Sequence, residues 1–194
     1  MGRDNNDHEH LARLQEFFAV HKALPPYAKI GEITGINSKA GVSKLVFRLK
    51  QAGFLDSAPG GRLAPTSRFF ARPRVGAAPA GFPSPAEELL DDALTIDDFL
   101  VEHPSKTVLV EVQGESMIEA GIQPGDYVVV EKTENARVGQ IVVAIMDGEF
   151  TIKYLERDAR GYLLKPANPR FSNLRPEREL TIFGVVVGQF RKYP

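Results

Sequence analysis

The chain has 194 residues, 43% of them hydrophobic, and a formal net charge of −1 at pH 7. This length suits one large or two small globular domains with ordinary hydrophobic cores. The sequence contains no cysteine, which excludes disulfides, thiolate metal sites and a thiol nucleophile. No apolar run approaches the roughly 18 residues of a membrane-spanning helix, and the N-terminus lacks an apolar signal core. We therefore expect a cytoplasmic protein with no membrane partner.

Charge is unevenly distributed along the chain. Residues 1–75 contain 12 Lys and Arg against 6 Asp and Glu, a net charge of +6, so the remainder carries −7. A basic first part and an acidic second part suggest a polyanion-binding module joined to something else. The four histidines show no metal-ligand spacing, so we expect no metal site and no cofactor.

Apolar residues recur at helical spacing in three N-terminal segments. The first helix stops at Pro25-Pro26, the second runs from Tyr27 to Thr34, and the third stops at Gly53. The third helix has one apolar face, formed by Val42, Leu45, Val46 and Leu49. The start and the opposite face of this helix carry polar and basic residues that we expect to contact DNA, namely Asn37, Ser38, Lys39, Ser43, Lys44 and Arg48.

Two short helices joined by a turn at Gly35 fit a helix-turn-helix, whose second helix enters the major groove of DNA. A hairpin is predicted next, with Phe54-Leu55 and Arg62-Leu63 on either side of residues 57–61. Any small three-helix bundle shows the same periodicity, so a purely structural role stays open here. The basic face and the hairpin favour a winged helix-turn-helix over residues 1–70 that binds double-stranded DNA.

From Ala71 to Ala86 the sequence is dominated by alanine, proline and glycine. Such a stretch buries little surface, and prolines disfavour regular structure, so we expect residues 71–86 to form an extended, exposed linker. Exposed linkers are also the places where proteolysis concentrates.

Residues 87–194 change in character. A short acidic helix is predicted around Glu87 to Phe99, and valine- and isoleucine-rich segments separated by turn signals such as Asp147-Gly148 predict strands. The six predicted strands are Val108 to Val112, Tyr127 to Glu131, Ile141 to Ile145, Phe150 to Leu155, Tyr162 to Lys165 and Thr181 to Phe190. The chain is therefore predicted to be α+β, with a winged helix-turn-helix, a Pro/Ala-rich linker and a compact all-β domain.

Ser116 and Lys153 are the candidate catalytic residues. A serine hydroxyl is a poor nucleophile until a base removes its proton, and an uncharged lysine in an apolar setting can serve as that base. Lys153 lies in the run Phe150-Thr151-Ile152-Lys153-Tyr154-Leu155, where burial would lower its pKa. Taken alone, such a serine and lysine are surface residues in most proteins. Ser116 also follows a strand at a glycine-containing bend, where the backbone N–H groups of Ser116 and Met117 could face an oxyanion.

The sequence around both residues resembles the LexA/UmuD family of self-cleaving SOS-response proteins, and the similarity covers nearly all of the chain. The run Val112-Gln113-Gly114-Glu115-Ser116-Met117, continuing to Pro124-Gly125-Asp126, is similar to the serine motif of the family. The run Asp147-Gly148-Glu149-Phe150-Thr151-Ile152-Lys153 resembles its lysine motif. The resemblance implies a LexA/signal-peptidase-like catalytic domain with a Ser-Lys dyad.

The linker and the N-terminal segment extend this resemblance. The run from Ala80-Gly81 to Ala86 resembles the UmuD cleavage region, and Ala80-Gly81 itself resembles the bond cut in LexA. The resemblance thus implies that Ser116 attacks the carbonyl of Ala80. The first segment, including Leu24-Pro25-Pro26, resembles the winged helix-turn-helix of LexA, which UmuD lacks. A repressor of DNA-damage genes is implied, dimeric through its C-terminal domain and cleaved when a RecA filament on single-stranded DNA stimulates it.

The chain departs from the family pattern at two places. Glu115 stands where many relatives have aspartate, and Lys39, Ala40, Gly41, Ser43 and Lys44 differ from the best-known LexA recognition helix, so no operator sequence is implied. The main alternative is a UmuD-like subunit that joins an error-prone Y-family polymerase after cleavage. A phage or mobile-element repressor with the same switch stays open, whereas a signal-peptidase-like enzyme is disfavoured by the lack of a membrane anchor.

Overall fold

The structure is a computed structural model that describes residues 6–75 and 90–194. The chain divides into two compact units, residues 1–96 and 97–194. Among the residues described, no helix is both long enough and apolar enough to cross a membrane. The bond between Ala80 and Gly81, and most of the predicted linker, lie outside the described residues, so the linker and the domain boundaries stay predictions.

The first unit begins with the three predicted helices, α1 (Asp7–His21), α2 (Tyr27–Thr34) and α3 (Lys39–Gln51). Gly35 ends α2 with a φ of 75°, in the left-handed region that glycine adopts without strain. Ser38 begins α3, and its hydroxyl accepts a hydrogen bond from the N–H of Gly41 at 3.1 Å. The helices pack around a core formed by Leu11, Leu14, Ile30, Val42, Leu45, Val46, Leu49, Leu55 and Phe69.

Gly41 has a structural role that its low helix propensity conceals. A Cβ atom at this position would lie 2.6 Å from the Cγ2 of Ile36 and 2.9 Å from the hydroxyl oxygen of Ser38. Glycine therefore allows the side chains of Ile36 and Ser38 to pack closely against the first turn of α3.

A hairpin follows the helices, as predicted. It pairs β1 (Leu55–Ser57) with β2 (Leu63–Pro65), and a single helical turn, α4 (Ser67–Phe70), comes after it. The hairpin loop contains Gly60 and Gly61, both with positive φ. Three consecutive helices and a hairpin thus make up most of the first unit.

Two predictions near the linker are wrong. Residues 72–75, expected to belong to an extended linker, form β3 (Arg72–Val75), which pairs antiparallel with β4 (Leu90–Leu94). The register shifts between Arg72 and Arg74, so Pro73, which has no N–H to donate, lies where the regular pairing is interrupted. An acidic helix was expected around Glu87 to Phe99, but the only helix described there is α5 (Ile96–Leu100). Residues 90–94 form a strand instead, because strand pairing overrides helix propensity.

The second unit contains all six predicted strands in one antiparallel sheet, in the order β5-β6-β10-β7-β8-β9. The strands are β5 (Thr107–Glu111), β6 (Tyr127–Lys132), β7 (Ile141–Met146), β8 (Glu149–Asp158), β9 (Gly161–Lys165) and β10 (Leu180–Phe190). Their buried side chains form two clusters, one around Val128, Val130 and Val143 and the other around Val142, Leu155 and Leu164. A β-rich second unit therefore follows a helical first unit.

The turn between β7 and β8 is Asp147-Gly148, as predicted, and both residues have positive φ. The Asp147 carboxylate accepts hydrogen bonds from the backbone N–H groups of residues 177, 178 and 179, at 3.0, 3.0 and 3.1 Å. These N–H groups hold the pKa of Asp147 below its usual value. The turn is thereby tied to the segment that leads into β10.

The central strand β10 packs closely against its neighbour β6 at Gly184. A Cβ added there would lie 2.5 Å from the carbonyl oxygen of Glu131 and 2.7 Å from a methyl group of Val130. We expect Gly184→Ala to lower the free energy of unfolding of the second unit by about 1–3 kcal/mol, because the backbone of β6 would have to move. Calorimetric unfolding of the full chain, carrying Ser116→Ala in all samples, measures the change.

Gly188→Ala on the same strand is the matched control. The added Cβ would come within 2.8 Å of Leu100, but only of the flexible end of its side chain. We expect a loss of less than about 1 kcal/mol, because that side chain can rotate away. Equal losses in the two variants would contradict the close approach of β10 to β6.

Candidate functional site

Ser116 lies in a short loop that leaves the sheet after β5. Gly114 has a φ of 79° and turns the chain, and the buried side chain of Met117 (2% exposed) fixes the loop to the core. A 3-10 turn over Ile118–Ala120 follows immediately. The Ser116 side chain is half-buried, so its hydroxyl sits at a fixed place on the edge of the core.

Lys153 comes to the same place from the middle of β8, where it pairs with Val142 of β7. Its side chain is only 6% exposed. The Nζ atom lies 2.7 Å from the Oγ of Ser116, and also donates hydrogen bonds to Thr151 Oγ1 and to the carbonyl oxygen of Ile152, both at 2.9 Å. The two residues predicted to form a dyad are thus in direct contact.

Burial lowers the pKa of Lys153 from its ordinary value of 10.5. Among the described residues, no carboxylate lies within ion-pair distance of Nζ, so nothing there opposes the effect of desolvation. Once Nζ has lost a proton, the contact with Ser116 can reverse, so that Oγ–H donates to the nitrogen lone pair. This is the geometry that general-base activation of a serine requires.

A cleft of about 230 Å³ opens over the dyad. Val110 and Glu111 of β5 line one side, and Phe150 and Thr151 of β8 line the other. A larger cavity of about 460 Å³ lies elsewhere in the second unit, but none of the predicted site residues lines it. We place the candidate site in the smaller cleft, because the buried amine and the hydroxyl meet there.

The carbonyl groups of Glu115 and Ser116 accept hydrogen bonds from one segment beyond β9. They belong to the same peptide units as the N–H groups of Ser116 and Met117. Asn168 Nδ2 donates to the carbonyl oxygen of Glu115 at 2.9 Å, and the backbone N–H of Ala167 donates to the carbonyl oxygen of Ser116 at 2.8 Å. Within residues 6–75 and 90–194, the N–H groups of Ser116 and Met117 have no hydrogen-bond acceptor. Both predicted oxyanion donors are therefore unpaired within the described residues, and their role stays a prediction.

A partly buried ion pair supports the C-terminal end of the loop between β5 and β6, residues 112–126, which contains Ser116 and is called the serine loop below. The Asp126 carboxylate, 0% exposed, accepts from Nε and Nη2 of Arg191 and from the backbone N–H of Gln123. Hydrogen bonding to Arg191 lowers the pKa of Asp126. Arg191 also donates to the carbonyl oxygen of Gly121. The C-terminal end of β10 is thus attached to the turn that follows Ser116.

In the first unit, the structure places the predicted DNA-contacting residues at the exposed start and outer face of α3. Asn37, Ser38, Lys39, Ser43, Lys44 and Arg48 are all exposed. Two of them are engaged within the unit: Ser38 caps the helix, and Arg48 forms a bidentate ion pair with Asp7, with both N–O distances 2.7 Å. Of the other four, Asn37 precedes the helix, and Lys39, Ser43 and Lys44 lie on its exposed surface.

Phe47 is a residue of this face that the sequence analysis missed. Its side chain is 62% exposed, and it lies one helical turn beyond Ser43 and close to Lys44 on the helix surface. An apolar ring is thus placed in the middle of the polar and basic face of α3. The signal was present in the sequence, because Phe47 falls outside the i, i+3, i+4, i+7 pattern of the buried residues.

A family profile covers the part of the chain that contains the candidate site. The profile of the family described as Peptidase S24-like matches residues 73–187, which include both members of the dyad. The chain belongs to the LexA/UmuD family of S24-like peptidases. The predicted membership of this family is thereby confirmed.

Full-length relatives in the family are repressors by name. The LexA repressor of Anaeromyxobacter dehalogenans (strain 2CP-1) is 34% identical, with 89% of this chain and 90% of the relative aligned. LexA repressor 2 of Pseudomonas putida (strain KT2440) is 36% identical, over 92% of this chain and 93% of the relative. Protein SamA of Salmonella typhimurium (strain LT2) is 45% identical, over 59% of this chain and 80% of the relative.

Asn168 and Arg191 also escaped sequence analysis. Each acts through a contact more than 50 positions away along the chain, so no local spacing reveals it. The signal for Asn168 is weak: it stands between Pro166 and Pro169 in a loop. No group of three or more His, Asp or Glu residues that could hold a metal ion occurs in the described parts of the chain.

The lowered pKa of Lys153 makes the stability of the second unit depend on pH. Below the folded-state pKa, the fold bears the whole cost of burying a charged amine. Between that pKa and the unfolded value of 10.5, only the unfolded chain holds the proton, so the cost falls as pH rises. We expect Lys153→Met, in a Ser116→Ala background, to stabilise the unit most at neutral pH, with a gain that shrinks toward pH 10.5.

Urea unfolding at a series of pH values measures this difference. Each unit by which burial lowers the pKa contributes about 1.4 kcal/mol to the change in the free-energy difference. Lys165→Met, at an exposed position of β9, serves as the control and should show no such trend. A Lys153→Met effect that is the same at every pH would contradict burial as the cause.

Proposed function

We propose that this protein is a LexA-like transcriptional repressor of DNA-damage genes that inactivates itself by cutting its own linker. Residues 1–70 would form the winged helix-turn-helix, residues 71–86 the linker with the scissile bond, and residues 87–194 the self-cleaving and dimerising domain. The observation that carries the proposal is the 2.7 Å contact between a buried lysine amine and the Ser116 hydroxyl. The LexA repressors aligned over about nine-tenths of this chain support it.

The chemistry starts when the linker enters the cleft and displaces water. Neutral Lys153 removes the proton from Ser116 Oγ as this oxygen attacks the carbonyl carbon of Ala80, and the N–H groups of Ser116 and Met117 stabilise the oxyanion. The intermediate then collapses, and the ammonium of Lys153 returns its proton to the departing nitrogen of Gly81. Water, activated by the same amine, hydrolyses the ester and restores the hydroxyl.

Tethering explains why so small a cleft suffices. The substrate belongs to the same protein, so a high effective concentration replaces binding affinity, and alanine and glycine offer little steric obstruction at the bond. The chain can therefore cut a peptide that it binds weakly.

Cleavage would end repression by separating the two DNA-binding domains of a dimer. A homodimer held together by the second domain presents two helix-turn-helix units to a two-fold operator, and their linkage gives avidity. One cut removes that linkage without changing any DNA contact. A RecA filament on single-stranded DNA would act by favouring the conformation in which the linker occupies the cleft, which is a shift of populations.

A second candidate function is that of a UmuD-like subunit of a Y-family polymerase, released by the same cut. It is favoured by the resemblance of the linker, from Ala80-Gly81 to Ala86, to the UmuD cleavage region. Binding of the full chain to a specific operator supports the repressor. Retention of a Y-family polymerase by the cleaved fragment, without operator binding by the full chain, supports the alternative.

The rate of self-cleavage should rise with pH. Because the base is a lysine whose pKa is lowered by burial, the first-order rate should increase about tenfold per pH unit and level off below pH 10.5. We expect incubation of the purified chain from pH 7 to pH 10 to produce a fragment that begins Gly81-Phe82-Pro83. Gel densitometry gives the rate, and N-terminal sequencing gives the bond.

Ser116→Ala and Lys153→Ala are the matched controls for cleavage. Both should abolish the cut, while binding to DNA through the first unit persists. Cleavage of either variant at the wild-type rate, or a rate that is flat between pH 7 and 10, would refute the dyad.

The outer face of α3 should determine which DNA sequence is bound. Apolar side chains contact the methyl group of thymine in the major groove, and Phe47 is the large apolar residue of this face. After an operator has been selected from random DNA with the Ser116→Ala chain, we expect Phe47→Ala to weaken binding roughly tenfold. Replacing the contacted thymine by deoxyuracil, which lacks the methyl group, should weaken wild-type binding but not that of Phe47→Ala.

Val20→Ala provides the control, since Val20 is 74% exposed but belongs to α1. Its affinity for the operator should match that of the unchanged chain. Lys44→Ala should weaken binding to all sequences alike and reduce the salt dependence. If Phe47→Ala and Val20→Ala bind the operator equally well, α3 does not face the bases as proposed.

A further inference from the structure

The loop after β9 makes three hydrogen bonds to the serine loop. The N–H of Ala167 donates to the carbonyl oxygen of Ser116, and the N–H of Glu119 donates to the carbonyl oxygen of Ala167, both at 2.8 Å. The third bond joins Asn168 Nδ2 to the carbonyl oxygen of Glu115 at 2.9 Å. Asn168 is 4% exposed, so its amide is held inside the protein rather than in solvent.

The orientation of the Asn168 amide is fixed at its other end. Its Oδ1 accepts a hydrogen bond from the backbone N–H of Arg170 at 3.0 Å, so the oxygen must face Arg170 and the nitrogen must face Glu115. Pro169 restricts the backbone of Asn168 to extended conformations, because a residue before proline avoids the helical region. The donor is therefore held rigidly.

Each of the two anchored carbonyl groups belongs to a peptide unit that also carries a proposed oxyanion donor. The carbonyl of Glu115 shares a planar peptide unit with the N–H of Ser116, and the carbonyl of Ser116 shares one with the N–H of Met117. None of the peptide bonds described is cis, so within each peptide unit the N–H points in the direction opposite to the C=O. A hydrogen bond that fixes the direction of either carbonyl group therefore also fixes the direction of the N–H group in the same peptide unit.

We infer that Asn168, together with the backbone of Ala167, is the positioning element of the oxyanion hole, which aims the N–H groups of Ser116 and Met117 at the scissile carbonyl oxygen. This inference rests on the proposed function, because it assigns a task within the same cleavage. Asn168 itself touches neither the nucleophile nor the base. Its removal should affect stabilisation of the oxyanion and leave the ionisation of Lys153 unchanged.

Asn168→Asp tests the assignment with almost no change in shape. The carboxylate keeps the acceptor for Arg170 but presents oxygen instead of N–H to the carbonyl of Glu115, so it repels that carbonyl. Loss of one oxyanion donor costs about a hundredfold to a thousandfold in rate, and misdirecting one should cost roughly tenfold to a hundredfold. We expect the plateau rate of self-cleavage at high pH to fall by that factor. Asn168→Ala also removes the donor but adds no charge, so in this variant the plateau should fall while the pH of the midpoint stays the same.

Gln189→Ala is the control for general support of the loop. Gln189 donates to the carbonyl oxygen of Gly121 at 3.1 Å, beyond the two peptide units in question, and should leave the plateau rate within about twofold of the wild-type rate. Cleavage of the Asn168→Asp chain at the wild-type plateau rate would overturn the inference. An equal fall in the plateau rate of Gln189→Ala, in a chain with the same melting temperature as Asn168→Asp, would also overturn it. A wild-type chain that is not cut at any pH overturns the proposed function instead.

Hydrogen exchange provides a second test that needs no change at position 168. In the inactive Lys153→Met chain, the amides of Ala167 and Glu119 should be protected, whereas those of Ser116 and Met117 should exchange at least tenfold faster. Protection of Ser116 and Met117 equal to that of Ala167 would mean that their N–H groups already have acceptors, and the inference would fail even if Asn168→Asp and Asn168→Ala do not fold.

Discussion

The burial of one lysine amine against one serine hydroxyl is the interaction on which this structure depends. Nζ of Lys153 is surrounded by three neutral oxygen atoms, at 2.7, 2.9 and 2.9 Å. These acceptors satisfy its hydrogen bonds but supply no negative charge, so desolvation moves the pKa downward without an opposing ion pair. The charged and neutral forms are thereby brought closer in free energy than for a lysine in water, and a proton can be moved at modest cost.

The contact between Ser116 and Lys153 joins parts of the sheet that are far apart in strand order. Ser116 follows β5 at one edge, and Lys153 is on β8, with β6, β10 and β7 between them in the hydrogen-bonded order. Residues of β5 and β8 nevertheless line one cleft, so the sheet curves to bring them together. The register of β10 shifts twice, near Gly184 and near Gly188, and such irregularities increase the local twist of a strand. The central strand thus contributes to the site without supplying a catalytic residue.

Local patterns predicted most of the fold, and long-range contacts account for the misses. The six strands and the Asp147-Gly148 hairpin follow from valine- and isoleucine-rich segments and turn chemistry, which are visible within a few positions. β4 escaped because its acidic residues indicate a helix locally, whereas the pairing with β3 decides its conformation. Asn168 and Phe47 escaped for different reasons. The partner of Asn168 is distant in sequence, and Phe47 lies outside the apolar helix pattern, which was used only to find buried residues.

The same desolvation gives the proposed cleavage its control. A substrate tethered at high effective concentration would be cut continuously if the base were always neutral, so the resting protein requires a means of keeping self-cleavage slow. A lysine whose pKa is lowered only by burial provides one, because the neutral fraction of the amine increases when more water leaves the cleft. An occupied cleft contains less water than an empty one, and further drying lowers the pKa of Lys153 again. Docking of the linker would then prepare the base as well as present the bond, and any partner that stabilises the docked state would accelerate cleavage without contributing a catalytic group.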